Sequence, residues 1–404
     1  MRVLFNNFVG FQPQTGVGTY ASRLAAELPG TAESDSIHSF PSGWLGATIV
    51  IANRLFRVAR RLRRPVSVGG CAQGTTAATR RRRVLSLGGQ ARQNLYRSEF
   101  LKLATRGRFD LVHEPNQINW ACDLPTVMTI HDLSPIRNPQ WHPADRIEAF
   151  QRGLDASRRY LVHVLTDSEA IRREVIHDLG IDGSHVTAVA IGVGDEFRPQ
   201  SIMEVAKTRR RLQLPTNYLL AVGTIEPRKN ILNLMRSFCA LPDAVRRRCP
   251  LVLAGGWGWR FAETQAFFHD TARHRDVIHV GYVAARDLPA VYAGARALVF
   301  PSYYEGFGLP PLEMLACGGA VLASDIPVTR EVLGNHAQFI APDDGDAWRN
   351  TMQRVITDDD LVNERRRGGL EHARAYSWRR TAEKTWNVYR RIHACGTGMG
   401  RAAA

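Results

Sequence analysis

Lysine is nearly missing from this chain. Four of its 53 basic residues are lysine (Lys102, Lys207, Lys229 and Lys384), and the other 49 are arginine. Long apolar runs are missing as well, and none reaches the roughly 18 residues that a bilayer span needs. The six cysteines (Cys71, Cys122, Cys239, Cys249, Cys317 and Cys395) contain no CxxC and no paired spacing. That excludes zinc ribbons and a disulfide framework, and leaves thiols suited to a reducing compartment. The histidines and aspartates do not fall at metal-ligand spacing, so no metal is expected. No aromatic platform or recognition helix accompanies the positive charge, so nucleic acid is not the expected partner. Met1 leads straight into the β-like run Arg2 to Phe5 without a secretory signal. The expectation is a cytoplasmic protein that touches membrane, if at all, only peripherally at the inner face.

What is present is length, charge and rhythm. A chain of 404 residues exceeds one typical core and predicts two domains. Its 44% hydrophobic and 23% charged residues are those of a globular protein. A formal charge of +15 suits a polyanionic partner or surface, and mutational bias toward arginine is the other source of such an excess. Apolar β-like runs alternate with helix-length segments through both halves, which predicts an α/β chain with two parallel, doubly wound sheets. The expected division is 1–196 and 197–378, with 379–404 as a final helix and tail. Within the first half, segment 41–107 is irregular and basic. Residues 44–64 set Leu45, Ile49, Leu55, Val58 and Leu62 against six arginines, a basic amphipathic pattern. Such a helix either docks on its domain or rests on an anionic membrane, where each basic residue adds on the order of 1 kcal/mol.

Three strand-to-helix loops carry candidate chemistry. The stretch PSYYEGFGLPPLEMLACG, Pro301 to Gly318, follows an apolar run and leads into a helical pattern. It places Glu305 and the backbone of Gly306, Phe307, Gly308 and Leu309 where a parallel sheet opens a crevice, with Glu313 further along the helix. GTIEPRKN, Gly223 to Asn230, brings Arg228 and Lys229 to a helix start. A planar fork beside a compact ammonium suits a diphosphate, although two solvated cations in a turn would read the same way. The third loop, TGVGT at Thr15 to Thr19, is a short Gly-x-Gly with Gly16 and Gly18. Elsewhere, His131 and Asp132 end the run Pro125 to Pro135.

The Pro301 to Gly318 stretch resembles the Glu-x7-Glu signature of the retaining family 4 glycosyltransferases. The resemblance implies the GT-B fold, two facing Rossmann-like domains with a C-terminal helix crossing back to the first. It also implies roles. Glu305 contacts the donor sugar, Gly306 to Leu309 offer amides, and Glu313 holds the ribose hydroxyls. Arg228 and Lys229 grip the diphosphate, His131 touches the sugar, Gly16 and Gly18 border the phosphates, and Val283 lies by the base. HEPN, ending at Asn116, and HPADR, ending at Arg146, look like the branch with bacterial O-antigen and exopolysaccharide mannosyltransferases. The donor it implies is a nucleotide sugar, GDP-mannose, with no cofactor. The implied acceptor is a saccharide, free or polyprenyl-diphosphate-linked. A nucleotide-sugar epimerase or synthase of the same fold, and a basic polyanion-binding protein, are the alternatives. Thr224 departs from the pattern, since many members carry arginine directly after that glycine.

Overall fold

The computed structural model describes residues 1–11, 16–42, 93–117, 120 and 122–399. The basic amphipathic segment at 44–64 lies outside the described residues. Two compact units form, one from Met1–Thr129, Arg152–Val164 and Thr385–Ala404, the other from Ile130–Gln151 and Leu165–Lys384. Residues 130–151 and 165–196, assigned above to the N-terminal half, group with the second unit.

The N-terminal sheet has the order β2-β1-β3-β4-β5-β6. Its strands are β1 (Arg2–Asn6), β2 (Ser36–Phe40), β3 (Leu111–Glu114), β4 (Thr126–Ile130), β5 (Leu161–Thr166) and β6 (Val186–Ala188). β1 pairs in parallel with β2 and β3, and β3 with β4. Val3, Leu4 and Phe5 are wholly buried, as a strand covered on both faces requires. The edge strand β2 was not expected, because SIHSF is only half apolar and half-buried. The apolar run Thr187 to Val193 pairs only at its start, within β6, and then contributes a single bridge from Val193 to Ser377. The helix Trp378–Met399 begins in the second unit and ends in the first. In the first unit its Trp386 Nε1 donates to the Leu28 carbonyl at 2.9 Å, and Tyr389 meets His113 Nδ1 at 2.5 Å.

The strand order turns back between β1 and β3, which makes their C-terminal ends the crevice of this sheet. There Asn6 Nδ2 donates to Glu114 Oε2 at 2.8 Å, beneath a cluster containing Phe8, Tyr96, Phe100 and Trp120. Burial pushes the Glu114 carboxyl up to about 8, against the hydrogen bonds from Asn6 and the Trp120 amide. A carboxyl whose folded pKa exceeds its ordinary 4.5 holds its proton more tightly when folded. Its contribution to stability is therefore full below about pH 4.5 and is lost as pH rises through about 8. Glu114→Gln should remove that decline, leaving the variant more stable than the parent at pH 8 by on the order of 4 kcal/mol. Urea midpoints of both proteins from pH 5 to 8 check this, and parallel profiles would contradict it.

The C-terminal sheet has the order β12-β11-β10-β7-β8-β9. Its strands are β7 (Leu219–Val222), β8 (Leu251–Ala254), β9 (Val277–Gly281), β10 (Ala297–Phe300), β11 (Ala320–Ser324) and β12 (Gln338–Ile340). All its pairings are parallel. The core beside it is built from Leu219, Leu251, Val299 and Leu322 of the strands with Phe238, Trp348 and Met352 of the helices. Two short helices, Asp359–Arg366 and Gly369–Arg374, follow, separated where Gly368 takes φ +74°. Among the described residues no helix is long and apolar enough to cross a membrane.

Candidate functional site

In the C-terminal sheet β7 leads outward to β8 and β9 on one side, and β10 to β11 and β12 on the other. The switch point therefore lies between β7 and β10, adjacent strands whose following loops, 223–230 and 301–308, must meet. Hydrogen bonds to backbone carbonyls lace the two loops together. Tyr303 N donates to the Arg228 carbonyl at 2.8 Å, and Arg228 Nη1 to the Tyr304 carbonyl at 3.2 Å. Asn230, buried at φ +56°, donates Nδ2 to the carbonyls of Pro301 (3.1 Å) and Pro342 (2.9 Å). Asparagine tolerates the left-handed region and carries a donor, so it both turns the chain and ties it down.

The result is a charge cluster on Glu305. Its Oε2 accepts from Arg228 Nη1 at 2.7 Å and its Oε1 from Lys229 Nζ at 2.5 Å, with Glu305 only 5% exposed. Arg228 Nε also reaches Glu226 Oε1 at 2.6 Å, and Lys229 Nζ sits 5.1 Å from the Phe300 ring centre. Burial alone would raise the Glu305 carboxyl, but Arg228 and Lys229 outweigh it and hold it below its ordinary value. Burial lowers the Lys229 ammonium and Glu305 offsets this only in part. Arg228 is held firmly charged, because Glu305, Glu226 and Asp132 overcome its burial. Glu226 is pushed up by burial and leaves Oε2 buried without a partner. Two cations thus converge on one carboxylate that they keep ionised. A hollow lined by Gly223, Thr224, Lys229, Phe300 and Ser302 measures only about 10 Å³, room for no more than about one water molecule.

His131 reaches the same loop through backbone. A Cβ on Gly306 would stand 1.9 Å from the His131 carbonyl oxygen, so only glycine permits this approach. Ser168 Oγ, the N-cap of the helix Glu169–Leu179, donates to the Gly306 carbonyl at 2.9 Å. The His131 ring is set by Asp167, whose Oδ2 lies 2.7 Å from Nδ1. Burial raises the Asp167 carboxyl and the His131 charge opposes that rise. Asp132 accepts from Ser134 N and Oγ, at 2.9 and 2.6 Å. Tyr304 hydroxyl receives the Leu133 amide at 3.0 Å and donates to Glu174 Oε2 at 2.5 Å. Asp167, Asn230, Tyr304 and Glu174 were not foreseen. The only sequence signal for Asp167 is its place at the end of an apolar run, shared by many structural residues.

The structure thus brings Glu305, Gly306, Arg228, Lys229 and His131 together within the second unit. Phe307 is buried, and Gly308 at φ +92° precedes the helix Leu309–Ala316. Pro310 and Pro311 lack N–H groups, so amide donors here end at Leu309 until Leu312. Glu313 Oε2 accepts from the buried Tyr292 hydroxyl at 2.7 Å. Val283 is buried just beyond β9. Gly16 and Gly18 open the helix Gly16–Glu27 of the first unit, and a Cβ on Gly16 would meet nothing within 4 Å.

The family model described as glycosyl transferases group 1 matches residues 204–372, which span both loops. O-antigen chain mannosyltransferase B of Escherichia coli is 33% identical over 265 residues, 65% of this chain and 70% of that protein. The serotype-specific mannosyltransferase WbdA of Escherichia coli is 30% identical over 277 residues, 66% of this chain. The match takes in 33% of WbdA, so the chain spans about a third of its length. Among solved structures, Anabaena Alr3699/HepE, crystallised with UDP and glucose, superposes with a TM-score of 0.68. It covers 96% of this chain and 99% of its own at 16% identity, a likeness of fold.

Proposed function

The chain belongs to the glycosyl transferases group 1 family and has the GT-B fold, and on that premise we propose that it is a retaining hexosyltransferase of bacterial polysaccharide assembly. The donor in this reading is GDP-mannose, and the acceptor a saccharide, free or polyprenyl-diphosphate-linked. Support for the sugar comes from the two Escherichia coli relatives named as mannosyltransferases. Attachment to an anionic membrane surface belongs to the same reading, with the arginine excess as its support.

The observation that carries it is the convergence of Arg228 and Lys229 on Glu305 at the sheet's switch point. Sugar transfer needs a stabilised leaving diphosphate, a partner for positive charge on the ring, and a path for the acceptor proton. Arg228 and Lys229 supply the first as preorganised charge in a buried site, where such groups act most strongly. The amides of Phe307 to Leu309 add neutral donors. Glu305, once a diphosphate draws the cations away, turns to the sugar hydroxyls and offsets the cationic ring. His131, held by Asp167, faces the ring with a fixed nitrogen. The acceptor proton passes to a donor phosphate oxygen, so the reading needs no metal or cofactor.

Thermal shift with GDP, UDP and ADP, followed by transfer assays with radiolabelled GDP-mannose, tests the proposal. GDP should raise the melting temperature most, by a few degrees at a hundredfold excess over its Kd. A protein indifferent to all three nucleotides would overturn it.

A further inference from the structure

A second polar cavity of the C-terminal unit lies at the other end of the same sheet. It measures about 360 Å³ and is lined by Asn217, Arg296, Asp359, Asn363 and Arg366 with small residues between them. Asn217 precedes β7 and Arg296 precedes β10, whereas Lys229 and Glu305 follow those strands. At about 3.3 Å per residue, strands of four residues keep the two sites at least roughly 10 Å apart.

The two arginines differ. Arg296 is satisfied: it donates Nε to the Val355 carbonyl, and Nη2 to the Asp358 carbonyl (3.2 Å) and Asp359 Oδ1 (2.6 Å). Arg366 is not. It makes one long contact, Nη2 to the Ala295 carbonyl at 3.5 Å, and forms no ion pair among the described residues. Its Nε is buried without a partner. Burial and the neighbouring Arg296 both act against its charge, so the cation sits where its surroundings disfavour it. Asp359 is the one carboxylate in the lining and is already engaged by Arg296. A half-buried guanidinium with one long hydrogen bond, lining a polar cavity beside a second guanidinium, suits a tetrahedral oxyanion.

We propose that this cavity is a phosphate-binding site, separate from the switch-point site, in which Arg366 contacts the anion and Asn363 and Asn217 border it. The ligand class is a small phosphate, free or as a monoester. Binding there is independent of the donor reading, since no residue is shared with the Glu305 cluster.

The test is thermal shift of the full chain with 10 mM inorganic phosphate, or glycerol 3-phosphate, against potassium chloride at matched ionic strength. The wild type should gain on the order of 2 °C over chloride. Arg366→Gln should lose most of this gain, and Lys229→Ala should keep it, which separates the cavity from the diphosphate-gripping loop. A larger gain with the ester assigns the site to phosphorylated small molecules, and a larger gain with inorganic phosphate assigns it to the free ion. Should Arg366→Gln fold poorly by circular dichroism, Asn363→Asp, which adds a negative charge to the lining, should abolish the gain instead. No gain over chloride in the wild type, or a full gain in both lining variants, would overturn the proposal.

Discussion

Glu305→Gln should reduce kcat by about 10²- to 10³-fold while leaving affinity for the nucleoside diphosphate unchanged or tighter. The two effects part because Glu305 does two things in the cluster. In the free protein it accepts from Arg228 and Lys229 at 2.7 and 2.5 Å, and so competes with any diphosphate for the same donors. Glutamine keeps the shape and one acceptor oxygen but not the charge, which frees the cations for phosphate and removes the group that offsets a cationic ring. The free variant should also be less stable, by about 3–5 kcal/mol, since two buried cations lose their shared partner. Added diphosphate should restore more stability to the variant than to the wild type. Calorimetric Kd values beside steady-state kcat would check this. A variant within threefold of wild-type kcat would remove Glu305 from the chemistry.

The cluster also shows what the residues disclosed and what they withheld. The alternation of strands and helices, and the glycine-bracketed loop after Phe300, are local patterns that survive in one dimension. The two-sheet α/β fold was legible from them. Partnerships at long sequence separation were not. Arg228 and Glu305 lie 77 residues apart, His131 and Asp167 36, Tyr304 and Glu174 130. Only the strand order, which no local pattern records, brings them together. Strand β2 was missed for a different reason. At a sheet edge Ser36 is exposed and His38 and Ser39 are half-buried, so they satisfy the fold without an apolar run. The Arg366 cavity was invisible for a third: one arginine among 49 carries no mark of lacking a partner.

Scarcity makes Lys229 the sharper case. A chain that uses arginine for 49 of 53 cations carries an ammonium beside Arg228, 12% exposed and 2.5 Å from Glu305. A guanidinium there would be larger and planar, and the fork position is already filled by Arg228, which also spans to Glu226 and the Tyr304 carbonyl. Lys229→Ala should weaken nucleoside diphosphate binding by about 10- to 100-fold, the value of one charge-assisted hydrogen bond in a buried site. It should lower kcat/KM by at least as much, because charge on the departing diphosphate grows in the transition state. Lys229→Arg should recover little, since added bulk against Phe300 and Glu305 replaces the point charge with a misplaced fork. Lys207→Ala, on an exposed helix face, serves as the control and should stay within about twofold of wild type. Equal losses in the Lys207 and Lys229 variants would mean that bulk positive charge, not this loop, holds the donor.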